Sequence, residues 1–381
     1  MSVDANTPRV ACEQKGIAFA PAETGRLNAY HPSLSLLSEK EWLVTHDLGT
    51  STESLDYHTR ALRTTDAGAT WVSEAPLVAK PEAPPTTHTI RTRRISDRRV
   101  LGLGKWENRQ GYETQRSNRE TLGQVPMQLF WIESIDGGRK WSEPHWIVPP
   151  IVGPTWELCH PIVELPDRSW AAPVATWRGW NGDLPNGEMT GLLVSRDGGA
   201  TWPDFVVSFD GRGTGYIHWE QSVAVRRDGS LVVTSWVYDP AKKETRPSLF
   251  TTSRDGGRSF TAPRSTGFLA QTCKILELKS GRIMAAYRRH DRPGLWVEVA
   301  RVDESGWHTE RRGLLWGGVG SGMEGKASTS EELNKLRFGY PSLAELDDGS
   351  VVLVFWGTEG GPNAIYWMRF NPASVPACTS A

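Results

Sequence analysis

Four short stretches decide how this chain folds: TTDAGATW (64–71), SIDGGRKW (134–141), SRDGGATW (195–202) and SRDGGRSF (253–260). They share the form Ser/Thr-x-Asp-x-Gly-x-x-aromatic, which suits a tight turn between antiparallel strands. The carboxylate accepts bonds from backbone amides of the turn, the glycine supplies positive φ, and the aromatic ring packs back beneath it. RVDESGWH (301–308) reads as a decayed fifth copy. A motif that recurs in this way sets the architecture before local propensity is weighed.

A longer repeat surrounds these turns. YHPSLSLLSEKEWLVTHD (30–47), HTIRTRRISDRRVLGLGKW (88–106), CHPIVELPDRSWAAPVATWR (159–178), WEQSVAVRRDGSLVVTSW (219–236), TCKILELKSGRIMAAYRR (272–289) and RFGYPSLAELDDGSVVLVFW (337–356) each read as strand, turn, strand. The first four hairpins each have an Asp turn downstream, so each unit is a four-stranded antiparallel sheet. Six such sheets arranged radially make an all-β, six-bladed β-propeller, which leaves only short, protected edges. The last hairpin is followed by one further strand, AIYWMRF (364–370), so ACEQKGIAFA (11–20) is expected to supply the missing outer strand and close the ring. One domain over 11–370 follows, with tails at 1–10 and 371–381. EELNKL (331–336) is expected to form a short helix, and GSGMEGKAS (320–328), within the connection 313–336, a lid over the channel.

Composition narrows the partners. The chain has 381 residues and a formal net charge of −1, so no global field recruits nucleic acid or an anionic membrane. No apolar run reaches the roughly 20 residues of a membrane span. The start, MSVDANTPRV, lacks the basic and apolar pattern of a secretory signal, which fits a cytoplasmic protein or one recorded without its leader. Cys12, Cys159, Cys273 and Cys378 match no zinc spacing; Cys159 and Cys273 fall in strands, and the other two approach each other if the ring closes. His31, His88 and His160 come from different blades, and no metal or other cofactor is predicted. The basic run RTRRISDRR (91–99) reads as a strand edge and turn. Oligomeric state is not encoded in any of these features. Eighteen tryptophans are enough to serve both the core and a sugar-stacking surface.

With these repeats in view, the chain resembles the sialidase (neuraminidase) superfamily, whose Asp-boxes, or BNR repeats, match the four turns. The resemblance covers about residues 11–370 and implies that Asp66, Asp136, Asp197 and Asp255 are structural, with chemistry at the entrance of the central channel. Aligning the six hairpins puts His31, His88, Cys159 or His160, Glu220, Thr272 and Tyr340 at that mouth. A second ring follows sixteen or seventeen residues later: Asp47, Lys105 or Trp106, Trp177 or Arg178, Trp236, Arg288 and Trp356.

Residue by residue, the resemblance implies that Tyr340, in GYPSLAEL, is a nucleophile and that Glu220, in WEQSVAV, hydrogen-bonds the phenol and takes its proton. A phenol with pKa near 10 needs such a base at neutral pH. The resemblance further implies an acid after the first hairpin, for which Asp47 and Asp56, in THDLGTSTESLDYHTR, are both candidates, and spacing does not choose between them. Of the three arginines with which sialidases grip a carboxylate, the first position holds His31 and the second Trp236, while Arg292 lies near the third. A bidentate guanidinium is not replaced equivalently by imidazole or indole, so a specificity other than sialic acid is expected.

Three functions compete. The first is an exo-acting glycoside hydrolase on a glycan or glycoside, with Tyr340, Glu220, an Asp acid and His31 at its centre, and His88, His160, Lys105, Arg178, Arg288, Arg292, Trp106, Trp177, Trp236 and Trp356 binding substrate. The second is a polysaccharide lyase that cleaves a uronate-containing glycan by β-elimination, for which histidine, tyrosine and arginine supply base, acid and carboxylate partner. The third is a non-catalytic propeller whose tryptophans stack sugars.

Overall fold

The computed structural model describes residues 6–22, 25–79, 83–317 and 336–378, and these are built almost wholly of antiparallel strands. From inner to outer strand, blade 1 runs Asn28–Leu36, Trp42–Gly49, His58–Thr64 and Val72–Ser73. Blade 2 runs Thr86–Ser96, Arg99–Asn108, Met127–Ser134 and His145–Trp146. In blade 3 the inner strand is split into Thr155–Glu157 and Val163–Glu164, followed by Trp170–Trp177, Met189–Ser195 and Asp204–Asp210. Blade 4 is Ile217–Val225, Leu231–Asp239, Glu244–Ser253 and Arg264–Ser265; blade 5 is Ala270–Glu277, Ile283–Arg289, Leu295–Asp303 and Gly306–Trp316.

Blade 6 has Phe338–Glu345, Val351–Gly357 and Ala364–Phe370, and its outer strand is Gln14–Phe19 from the start of the chain. The inner strands touch their neighbours in order, and those of blades 6 and 1 touch each other, so the ring closes as expected. Arg9 and Ala377 both bridge to the outer strand of blade 5, where Val10 N–H donates to Leu314 O (3.0 Å) and Cys378 N–H to Glu310 O (2.9 Å). Cys12 and Cys378 are free thiols. Gly313–Trp316 extend a strand rather than a loop, and the lid expected over 320–328 and, but for Leu336, the helix expected over 331–336 lie outside the described residues.

The Asp turns join the third and fourth strands of blades 1 to 4, and 303–306 holds the same place in blade 5. In the first copy, Asp66 Oδ1 accepts from Thr70 N–H (2.8 Å) and Thr64 Oγ1 (2.7 Å), while Thr64 Oγ1 accepts from Gly68 N–H (2.9 Å). The glycine is needed twice over. Gly199, at φ 91°, would carry a Cβ 2.6 Å from Trp131 of blade 2, whose indole N–H bonds Gly199 O. The boxes therefore fasten one blade to the next, on the rim and away from the axis.

Candidate active site

In four blades the inner strand is interrupted by a bulge at the same place. Pairing skips two residues between Tyr30 and Ser33, Trp219 and Ser222, Gln271 and Lys274, and Gly339 and Ser342. The first skipped residue is His31 (φ 46°), Glu220 (53°), Thr272 (52°) or Tyr340 (51°). Left-handed backbone at a non-glycine residue costs about 1–3 kcal/mol, and bulges re-aim side chains. Four such costs at equivalent points aim four polar side chains at one axis. Gly339 precedes Tyr340 because a Cβ there would lie 2.5 Å from the Arg288 guanidinium.

Tyr340 crosses the channel. Its hydroxyl donates to Cys159 O on the opposite blade (2.7 Å) and accepts from Arg91 Nε (3.0 Å); Lys274 Nζ lies 4.6 Å from the ring centroid. Burial pushes the phenol's pKa well up, and the neighbouring Cys159 adds to this against Arg91. Tyr340, Arg91 and Cys159 line an upper and a lower cavity alike, so they form a septum between the two. The expected bond between Tyr340 and Glu220 is not among those of the described residues. The bulge geometry sends the phenol across the axis, while the Glu220 carboxylate turns to the N–H of Thr272 on the adjacent blade.

Asp47 is buried and fully partnered. It accepts from both terminal nitrogens of Arg91 (2.7 and 3.2 Å), from Tyr57 Oη (3.0 Å) and from Thr59 Oγ1 (2.7 Å). Burial raises its pKa, but Arg91 and His31 outweigh that and hold it far below the ordinary range, the reverse of what an acid near neutrality needs. Asp56 is exposed, closing its own loop on Thr50 and Ser54, and does not line the cavity. Neither aspartate is placed as the acid.

His31 lies over this group. Its Nδ1 is 2.8 Å from Tyr57 Oη and 3.4 Å from Asp47, and its side chain is 27% exposed to the cavity. Burial lowers its pKa to about 4 despite the pull of Asp47, so the ring is neutral at pH 7. Glu220 sits in the wall of the same cavity. Burial lifts its pKa to about 7, and Glu157 pushes the same way against Arg288 and Lys274. Glu220 N–H donates to Glu157 Oε2 (3.2 Å), while Glu157 Oε1 is buried with no hydrogen-bond partner. Two groups whose environments drive their pKa values apart mark acid and base roles.

The upper cavity encloses about 230 Å³ and is lined by His31, Glu220, Thr272, Tyr340, Lys105, Arg288, Trp177, Trp236 and Trp356, all from the two sequence-derived rings. Cross-strand register explains the second ring: Trp236 faces Trp219, Arg288 faces Gln271 and Trp356 faces Gly339. Burial lowers the pKa of Arg288 to about 10. The remaining expectations fall elsewhere. His88 is buried between blades 1 and 2, stacked on Trp106 and 3.2 Å from His58 Nδ1. Trp106 packs in the core beside it. His160 bonds Pro161 O and faces the lower cavity. Arg178 pairs with Glu188, and Arg292 is exposed on a turn, so Arg288 is the blade-5 guanidinium that reaches the site.

Sequence reading missed Arg116, Tyr57, Glu157 and Trp219 as site residues, and weighed Arg91 without placing it in the site. Trp219 carried a signal: it is the residue just before Glu220 and pairs with Trp236. Arg116 carried none, because it comes from the irregular stretch 109–126, where it pairs with the buried Glu107.

The sequence matches the BNR repeat-like domain over residues 110–353. The chain belongs to that family. Among solved structures, a protein of unknown function from Dyadobacter fermentans shares 20% identity at a TM-score of 0.71, over 95% of this chain and 99% of that one. The Hadza microbial sialidase Hz136 shares 16% identity at 0.65, over 91% and 66%. The intramolecular trans-sialidase from Ruminococcus gnavus, solved with oseltamivir carboxylate, shares 12% at 0.65, over 92% and 96%. No curated protein matches the chain. This BNR-repeat chain therefore has the propeller fold of the sialidase superfamily. Among the described residues no helix is long and apolar enough to cross a membrane, and no His/Cys/Asp/Glu group is disposed to hold a metal.

Proposed function

We propose that this BNR-repeat protein is a carbohydrate-active enzyme that hydrolyses the glycosidic bond of an acidic sugar other than sialic acid, with Glu220 as acid and His31 as base. The observation that carries this reading is a carboxyl with a pKa of about 7 sharing one cavity with a neutral imidazole backed by Asp47 and Tyr57. Glu220 gives its proton to the leaving oxygen as the bond to the anomeric carbon breaks. His31 takes a proton from water, whose oxygen makes the new bond. Arg288 and Lys105 offer cations to a sugar carboxylate, Glu157 Oε1 offers an acceptor to a hydroxyl, and the tryptophan wall offers a flat apolar face. Tyr340 forms the floor and positions Arg91. The sialidases of similar fold, which act on an acidic sugar, support this substrate class.

A second reading rests on the base being an imidazole beside cations. In a uronate, the same His31 would remove the C5 proton, the C4–oxygen bond would break, and Glu220 would protonate the leaving oxygen, with a C4–C5 double bond remaining. Mass analysis of products from acidic oligosaccharides tests both: hydrolysis adds one water per cleavage, whereas elimination adds none and leaves an ultraviolet-absorbing sugar. Binding without any cleavage would overturn both in favour of a glycan-binding module.

A further inference from the structure

Beneath Tyr340 lies a second, larger cavity of about 540 Å³ at the other end of the axial channel. Six cationic side chains line it, Arg91, Arg93, Arg94, Arg227, Lys274 and Lys279, against two carboxylates, Glu277 and Glu345. Most of these charges are spoken for. Arg91 holds Asp47, Arg227 lies 4.0 Å from Glu277, Lys279 Nζ lies 3.4 Å from Asp347, and Arg94 donates to the carbonyls of Asp97 and Leu36. Arg93 is different. It is half-buried, and among the described residues its side chain has neither ion pair nor hydrogen bond. Lys274 bonds the carbonyl of Cys159 and has no carboxylate in contact among those residues. Arg93, Lys274 and His160 line this one cavity although they come from blades 2, 5 and 3, and His160 feels the charge of both cations.

Hydroxyl groups lie in the wall of the same cavity. Ser35 is 2% exposed, and its Oγ is buried without a hydrogen-bond partner. Ser222 Oγ accepts from Ile275 N–H (3.0 Å) and Ser342 Oγ from Leu34 N–H (3.0 Å), which leaves each with its own proton to donate. An uncompensated guanidinium in a partly closed channel is costly unless an anion visits it, as is a buried hydroxyl without a partner. Guanidinium, ammonium and hydroxyl donors on one cavity make the donor set of a tetrahedral oxyanion.

We propose that the lower half of the axial channel binds a phosphate or sulfate group, held by Arg93 and Lys274. The septum of Tyr340, Arg91 and Cys159 separates this site from the upper cavity, and Lys274 is the one proposed anion ligand that also acts on the charge of Glu220.

Calorimetric titration of the full chain with inorganic phosphate, and separately with glucose 6-phosphate, tests the site; the tighter ligand identifies the free or the sugar-borne anion. One anion per chain is expected. Binding should weaken at least about tenfold in Arg93→Gln and stay unchanged in Arg288→Gln, which alters only the upper cavity. Melting in phosphate-free buffer verifies that Arg93→Gln is folded. Should it not fold, a selenate soak of the wild type replaces it, with anomalous signal expected between Arg93 and Lys274. No binding by the wild type, binding retained by Arg93→Gln, loss in Arg288→Gln, or no selenate between the two cations would overturn the proposal.

Discussion

The hydroxyl of Tyr340 lies 2.7 Å from the carbonyl oxygen of Cys159, so a side chain rooted in blade 6 is fastened to blade 3 on the far side of the ring. This single bond makes the phenol a floor for the upper cavity and keeps it away from the Glu220 carboxylate. Tyr340→Phe would leave the Cys159 carbonyl and the Arg91 Nε–H without this partner, at a cost of about 1–3 kcal/mol. Because no proton passes through the phenol in this account, turnover should fall about tenfold or less. A loss of about a thousandfold with folding intact would restore the nucleophile role. Thermal melting and steady-state rates, measured together, separate the two effects.

Arg91 and Asp47 form the buried ion pair on which His31 rests. Removing one partner of such a pair leaves an uncompensated charge, so Arg91→Met should destabilise the chain by about 3–5 kcal/mol in urea unfolding. Asp47→Asn together with Arg91→Met should recover much of that loss, since it removes the stranded charge. A double variant no more stable than Arg91→Met alone would count against the pairing.

Glu220 makes stability depend on pH in a defined direction. Its folded pKa of about 7 exceeds the ordinary value of 4.5, so the folded state holds the proton longer than the unfolded chain does. Stability must then fall as pH rises from about 4.5 through about 7 and level off above, by at most about 3 kcal/mol from this group. Glu220→Gln should therefore be more stable than the wild type at pH 8 and indistinguishable from it at pH 4. Melting curves across that range check the sign.

The Asp turns should behave quite differently. Asp197 accepts from Thr201 N–H (2.9 Å) and Ser195 Oγ (2.8 Å) on the rim. Asp197→Ala should cost about 1–2 kcal/mol in stability while kcat/KM on any substrate stays within about twofold of the wild type. A large activity loss in a folded variant would mean that the rim communicates with the axis.

The propeller was legible because each blade repeats its own instructions: Asp66, Asp136, Asp197 and Asp255 mark the same turn, and the alternation of the hairpins marks the strands between them. Even the closing strand, 14–19, follows from counting the strands after Phe338. The rings of Glu220, Arg288 and Trp356 were legible for the same reason, since a repeat fixes which positions share the axis. What failed was direction. Nothing in GYPS says that a bulge will carry Tyr340 past Glu220 to a carbonyl on the opposite blade, or that Asp47 will be consumed by Arg91. Those outcomes depend on contacts between blades far apart in sequence, and Arg116 arrives from a loop without any repeat.

The most direct test of the acid–base assignment is an infrared difference titration of the carboxyl groups, wild type against Glu220→Gln, between pH 4 and pH 9. The account predicts one protonated-carboxyl band in the wild type that disappears with a midpoint near pH 7 and is missing from Glu220→Gln. A wild-type spectrum in which that variant removes no band above pH 5 would show Glu220 already ionised, and the proposed proton donor would be gone.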